Sequence, residues 1–313
     1  MFLLGQKISQ KHSQRDAAPR VLVPWPTKSY TSDEVRHQRR HKTSREENLS
    51  SAEHLRKQAI MHFGHSTLNL AMRGLDKAPA DLWELQELEK LNLSLNCLCL
   101  LPSELGALTN LVVLNVWGNY LERLPPEIGL LQNLKVLFAY CNHLTEVPEE
   151  LGQCIKLEVL SLANNQLTGL PGSLVSLCKL TKLNLSHNCM PHIPTCIYAM
   201  KNLVFMHLGH NLLENIPDQI QNLVNLRILI VERNHIHTLP RALCYLTRLE
   251  LLNVDFNDLQ NVPEEMYMLQ KLKKLACHPL DKGLHIIQNP LMKPIQEVLQ
   301  GGLKALYNYL KPA

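Results

Sequence analysis

The sequence predicts an α/β fold, a repeat solenoid (horseshoe) with parallel strands on the concave face and a C-terminal helical cap. Asparagines recur every 23 residues from position 96 to position 257, and prolines recur with the same period from position 79 to position 263. Within each period, leucines such as Leu160 and Leu162 alternate with polar or small residues, which is the pattern of a half-buried strand. A unit this short cannot bury its own apolar face. Stacked units are therefore expected to share one core.

The first segment, residues 1–49, lacks sustained periodicity and is predicted to be a flexible basic leader. Residues 1–60 contain 12 Lys and Arg against 6 Asp and Glu, whereas the whole chain has a net charge of +4. The basic cluster in this leader predicts a weak contact with an anionic membrane or with nucleic acid, and the alternative is a solvated tail. Its members are Arg36, Arg39, Arg40 and Lys42.

Residues 50–64 are predicted to form an N-terminal cap helix. Ser50 and Glu53 have the spacing of a capping box, and Leu55 and Ala59 would then face the first repeat. The first repeat has Arg73 where the later repeats have asparagine. An arginine suits a terminal repeat, because its outer edge faces solvent.

Residues 65–291 are predicted to contain about ten repeats. Each chain reversal after a strand leaves backbone donors and acceptors inside the stack, and an asparagine side chain can both donate to them and accept from them. This role is predicted for eight asparagines, which form a structural ladder: Asn96, Asn119, Asn142, Asn165, Asn188, Asn211, Asn234 and Asn257.

The last repeat departs from the period. Leu280 stands where an asparagine is due and Asn289 follows nine residues later, which predicts an insertion loop near residues 278–283. Residues 292–313 are predicted to form a C-terminal cap helix with an apolar stripe, although Gly301 and Gly302 weaken it.

The repeated pattern L-x-x-L-x-L-x-x-N-x-L followed by Leu-Pro resembles the intracellular, 23-residue type of the leucine-rich repeat family. The segment from Asn289-Pro290-Leu291 to Tyr309-Leu310 is similar to the end cap of Ras-scaffold and Scribble-like repeat proteins. This resemblance implies a cytoplasmic signalling or adaptor role and supplies no catalytic residues.

Two groups of side chains are predicted to face solvent beside the inward leucines of the concave face. Trp117, Phe138 and Tyr140 fall on adjacent repeats, and large aromatic side chains are enriched where proteins bind partners. The alternative is lateral packing between strands. The second group of partner-binding candidates, nearer the C-terminus, is Phe205, His207 and Arg233.

Catalysis is not expected. His187, His207 and His210 lie on neighbouring strands about 4.8 Å apart, a spacing that makes three ligands about 2 Å from one ion difficult to assemble. We find neither a convincing nucleophile–base pair nor a glycine-rich phosphate loop. The sequence therefore predicts no enzyme activity, no cofactor, no metal and no small-molecule substrate.

Nine cysteines with no disulfide-like spacing favour a reducing compartment, the cytoplasm, with most of them acting as small buried hydrophobes. The first four residues are too short for a signal-peptide core. The leading hypothesis is a non-catalytic scaffold or adaptor in intracellular signal transduction, with a protein partner on the concave face. The alternative is a peripheral membrane- or nucleic-acid-associated factor that acts through the basic leader.

Overall fold

The computed structural model describes residues 52–62, 64–278 and 281–312. The leader, its basic cluster and Ser50 of the predicted capping box lie outside the described residues. Within them, eleven strands form one open sheet in chain order. The strands are β1 Ile60–His62, β2 His65–Asn69, β3 Lys90–Asn92, β4 Val113–Asn115, β5 Val136–Phe138, β6 Val159–Ser161, β7 Lys182–Asn184, β8 Phe205–His207, β9 Ile228–Ile230, β10 Leu251–Asn253 and β11 Gly283–His285.

The ten strands from β2 to β11 are parallel, as predicted, and consecutive repeats align without slippage. Leu160 of β6, for example, pairs with Leu183 of β7, one full period later in the sequence. The leucines of each strand point inward, and Leu160 and Leu162 are fully buried. The predicted solenoid of parallel strands around one apolar core is therefore confirmed.

The segments that lead from one strand back to the next contain short 3-10 helices. A proline precedes each one; Pro171, for example, has φ −66° and ψ 150°. Because proline fixes φ and has no N–H to pair, it suits the extended residue before a helical turn. The helices are Ala80–Glu84, Ser103–Ala107, Pro126–Leu130, Glu149–Gln153, Gly172–Ser176, Thr195–Ala199, Asp218–Asn222, Arg241–Tyr245 and Glu264–Met268.

The N-terminal cap differs from the predicted helix over 50–64. Helix α1 covers Ala52–Gln58, and the chain then forms β1, which pairs antiparallel with β2. Gly64 has φ +76°, a conformation that glycine adopts without steric cost, and it lies in the tight turn between these strands. The free edge of β2 thus gains a strand partner in place of a longer helix. Leu55 of α1 is fully buried.

The C-terminal cap also differs from a single helix. Helix α2 covers Ile295–Gln300 and helix α3 covers Leu303–Leu310. The break falls at the two glycines, where Gly302 has φ +85° and cannot continue an α-helix. Leu303 and Leu306 are buried, and the hydroxyl of Tyr307 donates to the carbonyl of Leu269, the residue that follows the last 3-10 helix.

The interpretation of most cysteines as buried residues is wrong. All nine are free thiols, but only Cys154, Cys196 and Cys244 are buried. Four others are exposed, because they occupy turn and edge positions of the repeat where a small side chain is tolerated in solvent. Burial raises the pKa of the Cys154 thiol to about 11, so this thiol is a weak nucleophile near neutral pH.

Candidate functional site

The asparagine ladder holds successive strand ends together. The side-chain nitrogen of Asn165 donates to the carbonyls of Leu162, at 2.9 Å, and of Ala139 in the preceding repeat, at 3.0 Å. Its oxygen accepts from the N–H of Leu144, also at 3.0 Å. One buried amide therefore satisfies backbone groups of two repeats at once. Asn289 makes the same kind of bonds after the insertion, to Val254 and from Leu259.

Three residues after each strand from β2 to β11 the chain passes through a left-handed residue, one position before the ladder asparagine or its equivalent. This conformation suits Gly118 and Asn164, yet Leu95 adopts it at φ 55° and Phe256 at φ 55° as well. The ladder hydrogen bonds fix the same turn in each repeat, whatever the side chain. The turn directs these side chains to the margin of the sheet, and His187, His210 and Arg233 belong to this column.

The solvent face of the parallel sheet, which we call the concave face, has three columns of side chains. Two contain the residues singled out in the sequence, such as Phe138 and Tyr140. The third column lies two residues before Phe138, on the same side of the strand, and most of its members are partly exposed. Side chains on one face of a strand recur every second residue, so the sequence alone could have revealed this column. Its members are Lys90, Val113, Val136, Val159, Lys182, Phe205, Ile228 and Leu251.

The structure brings Trp117, Phe138 and Tyr140 together. The Trp117 and Tyr140 rings stack with centroids 5.1 Å apart and an interplanar angle of 10°. Phe138 contacts Tyr140 edge to face, with centroids 6.3 Å apart. The three rings are half-buried, not fully exposed, because each covers part of its neighbour. Val113 and Val136 on the same strands add to one apolar patch.

The surroundings of this patch are small and largely buried. Ser94 and Ala163 hold the equivalent position in the flanking repeats, and both are buried. Ser161 is also buried, and its hydroxyl oxygen has no hydrogen-bond partner among the described residues. The rings therefore stand above their neighbours on the sheet, with Lys90 and Lys182 as the cationic members of the third column on either side.

Two of the remaining candidate residues, Phe205 and His207, lie in a second group, three strands beyond Phe138. Phe205 contacts His207 edge to face, with ring centroids 6.4 Å apart, on β8. Ile228 and Ile230 continue this group on β9. Since Phe138 is on β5, the two groups are separated by about 14 Å along the sheet, three strand spacings. An extended segment of a partner could contact both.

Arg233 is displaced from both groups, because it occupies the left-handed column. Its guanidinium lies over the Phe256 ring, 4.0 Å from the centroid. Beside it, Asn253 donates from its side-chain nitrogen to Glu232 at 2.6 Å, and Asp255 accepts from the N–H of Ile287 at 2.7 Å. Burial raises the pKa of the Asp255 carboxyl, since the charged form loses solvation there.

The imidazoles of His207 and His210 are neutral near pH 7, and burial also lowers the pKa of His187 below its ordinary value. Burial is the main cause that lowers the pKa of His207 to about 3 and that of His210 to about 4, and the nearby ring of His187 adds to both shifts. The His187 and His210 rings stack with centroids 3.9 Å apart. Desolvated imidazoles in such contact are uncharged hydrogen-bonding groups and not cations.

The described residues contain no cluster of three or more His, Cys, Asp or Glu side chains that could hold a metal ion. Nor is any helix over the same ranges long and apolar enough to cross a membrane. The concave face suits contact with another surface, because it has apolar rings, few charges and a fixed backbone.

Residues 109–213 match the family model described as leucine rich repeat, in three overlapping copies. The chain is 28% identical to the leucine-rich-repeat ectodomain of the plant membrane receptor kinase GASSHO1/SCHENGEN3 from Arabidopsis thaliana, solved in complex with Casparian strip integrity factor 2; the match covers 71% of this chain and 27% of that chain, with a TM-score of 0.58. It is 27% identical to the plant peptide hormone receptor RGFR1 in complex with RGF2, over 72% of this chain and 40% of that chain, with a TM-score of 0.57.

The leucine-rich repeat domain of the type III effector XCV3220 (XopL) shares the fold at 23% identity, over 71% of this chain and 76% of that chain, with a TM-score of 0.59. The chain spans between about a quarter and two fifths of the two plant receptors it resembles. These matches and the parallel sheet agree on a leucine-rich-repeat solenoid.

Proposed function

We propose that this leucine-rich-repeat protein is a non-catalytic interaction scaffold that binds a protein partner on its concave face. The observation that carries the proposal is the stacked pair of Trp117 and Tyr140 with Phe138 at its edge. Rings already fixed by mutual stacking lose little conformational entropy on binding, and Trp and Tyr are the side chains most enriched at binding hot spots.

The comparisons support a polypeptide ligand. One of the similar solved structures is a peptide hormone receptor, and it was solved in complex with RGF2. On this chain, an extended segment lying across the strands from β4 to β9 would contact the Trp117 patch and then Phe205 and His207. Within the scaffold role we place this binding in intracellular signal transduction, in the cytoplasm. The nine free thiols and the end-cap resemblance support that setting.

The test is capture of a partner by the full chain, followed by its dissociation constant for wild type and for Trp117→Ala/Tyr140→Ala. Loss of two hot-spot rings is expected to weaken binding by about 2 kcal/mol, roughly 30-fold in the dissociation constant. The matched control is Tyr120→Ala/His143→Ala, because these rings also stack between the same two repeats but outside the sheet face, with centroids 5.7 Å apart. Equal binding by both variants would contradict the proposal.

The basic leader provides the competing explanation. Residues 1–60 have twice as many Lys and Arg as Asp and Glu, and this excess favours anionic membranes or nucleic acid. Deletion of residues 1–49 separates the two functions. If all retention of partner or membrane disappears with the leader, the concave face is not the binding surface.

A further inference from the structure

Charge is segregated between the two edges of the solenoid. We call positions 13 to 17 after each ladder position from Arg73 to Asn257 the strand-start edge; the last of these five positions is the first residue of the strand in β3 to β10. The strand-end edge comprises the eight residues after each of the same positions. The strand-start edge contains 11 Lys and Arg against 4 Asp and Glu, whereas the strand-end edge contains 3 against 13. Repetition places these charges along two margins on opposite sides of the sheet, with no Asp or Glu in the strand-end segments 166–173, 189–196 and 235–242.

The positive charge of the strand-start edge is largely uncompensated from the fourth repeat onward. Its acidic members there are occupied, because Glu158 pairs with Lys135 at 3.7 Å and Glu250 pairs with Arg227 and Lys282. A further set of cations is exposed and has no carboxylate partner within the part of the chain that the structure describes. These are Lys156, Lys179, Lys201, Arg248 and Lys271.

Amide groups hold two of these cations without cancelling their charge. The Lys156 ammonium donates to the side-chain oxygen of Asn133 at 2.7 Å. One guanidinium nitrogen of Arg248 donates to Asn225 in the same way, one repeat apart. Lys179 and Arg248 also line an open groove of about 590 Å³ along this edge. The cations are therefore partly ordered and directed outward.

The same edge exposes aliphatic side chains. Ile155 is 55% exposed and Val224 is 56% exposed, and both lie in the turn before a strand, one residue from Lys156 and Asn225. Beside this edge, two positions earlier in the repeat and at the ends of 3-10 helices, Leu130 and the aromatic Tyr245 are 51% and 53% exposed. A surface that alternates basic and large apolar side chains differs from an ordinary solvated charged margin, which has no need of the apolar members.

We propose that the strand-start edge docks on an anionic lipid bilayer surface. Each Lys or Arg near such a surface contributes attraction to the acidic headgroups, and exposed aliphatic side chains enter the headgroup layer. From Lys156 to Lys271 the edge crosses six repeats, a row about 24 Å long. The acidic strand-end edge is repelled by the same surface, so the two margins together fix one orientation.

The aliphatic members favour a bilayer over the other polyanions. Nucleic acid offers phosphates and bases, and proteins that bind single strands stack the bases on aromatic rings, whereas Ile155 and Val224 have no role against a phosphate backbone. In the docked orientation the strands stand roughly upright on the membrane. The cations and aliphatic side chains assigned to docking, from Ile155 and Lys156 to Lys271, lie outside the three columns of the concave face. That face therefore stays open to a partner, and the docking does not depend on the proposed function.

The experiment is vesicle co-sedimentation with the full chain, on phosphatidylcholine vesicles with and without phosphatidylserine. To remove binding by the leader, the reference chain and every variant compared with it also have Arg36→Gln, Arg39→Gln, Arg40→Gln and Lys42→Gln. We expect this chain to bind the phosphatidylserine vesicles, and Lys179→Gln/Lys201→Gln/Arg248→Gln to lower its partition coefficient by about 100-fold. Ile155→Ser/Val224→Ser is expected to lower it by about tenfold and to do so at high salt as well.

A matched control removes three exposed cations that lie off this edge, Lys77→Gln/Arg123→Gln/Lys304→Gln, and has the same net charge as the edge variant. Binding that falls equally in both variants indicates attraction to net charge alone and overturns the proposal. Absence of binding to phosphatidylserine vesicles overturns it too. The proposal is also overturned if the chain binds a soluble polyglutamate peptide through these cations but does not sediment with the vesicles. That result identifies an acidic protein surface as the ligand.

Discussion

The indole of Trp117 and the phenol ring of Tyr140 lie parallel with centroids 5.1 Å apart, although 23 residues of chain separate them. The strand pairing that aligns Val113 with Val136 also aligns these two residues, because both follow their strands at the same distance. Stacking of this kind contributes both to the stability of the sheet and to a surface for a partner, and the two contributions can be measured apart.

The coupling between the two rings is expected to be about 0.5–1.5 kcal/mol in a double-mutant cycle on the free energy of unfolding. Trp117→Ala, Tyr140→Ala and the double variant are compared by urea unfolding. Because the rings are only half-buried, the double variant should stay folded. A variant that unfolds at room temperature would show that the rings are part of the core, and the binding interpretation would then lose its basis.

Asn165→Ala is expected to lower the free energy of unfolding by about 1–3 kcal/mol, since the amide satisfies buried backbone groups at Leu144, Ala139 and Leu162. Gln166→Ala is the control, because this neighbouring side chain is exposed. The measurement is the denaturant midpoint of each variant. Equal midpoints would mean that the ladder contributes nothing to stability.

Gly129→Ala is expected to destabilise the protein by about 1–3 kcal/mol, because a Cβ atom there would lie 2.6 Å from the backbone oxygen of Glu150 in the next repeat. Gly169→Ala is the matched control. A Cβ atom at this position would have no other atom within 4 Å, and the φ of Gly169 is not in the left-handed region, so alanine there should be neutral or slightly stabilising. Melting temperatures of the two variants test the close approach of successive 3-10 helices.

Stability is expected to fall between pH 7 and pH 5. The pKa of His207 is lowered to about 3 and that of His210 to about 4, so the native rings stay neutral over this range while unfolded histidines, with an ordinary pKa of 6.5, take up protons. Protons thus favour the unfolded chain as the pH drops below 6.5. After allowance for partial solvent screening, the two rings together should contribute roughly 2 kcal/mol of loss at pH 5.

Urea unfolding at pH 7 and at pH 5 measures this loss, and His207→Gln/His210→Gln should reduce it. The control, His192→Gln, removes an exposed ring and should leave the loss as in the wild type. If the double variant loses as much stability as the wild type over this range, the imidazoles of His207 and His210 are not its source.

The 23-residue period by itself determined the parallel sheet, the inward leucines such as Leu160 and the role of Asn165. Each of these features follows from local chemistry repeated in register: an alternating strand pattern needs a buried face, and an amide beside a reversal needs backbone partners. The candidate rings Trp117, Phe138 and Tyr140 were likewise identifiable, because equivalent positions in successive repeats must be neighbours. Repetition makes distant contacts predictable from short-range pattern.

Only the tertiary structure decided the features that the period does not encode. At the ends, where no further repeat is present to pair with, the chain pairs β1 with β2 and breaks the cap helix at Gly302. Within the repeats, hydrogen bonding around the ladder imposes a left-handed turn even on Leu95 and Phe256, against the preference of those side chains. The degree of exposure of the rings depends in the same way on the neighbour against which each one rests, and a sequence pattern does not specify that packing.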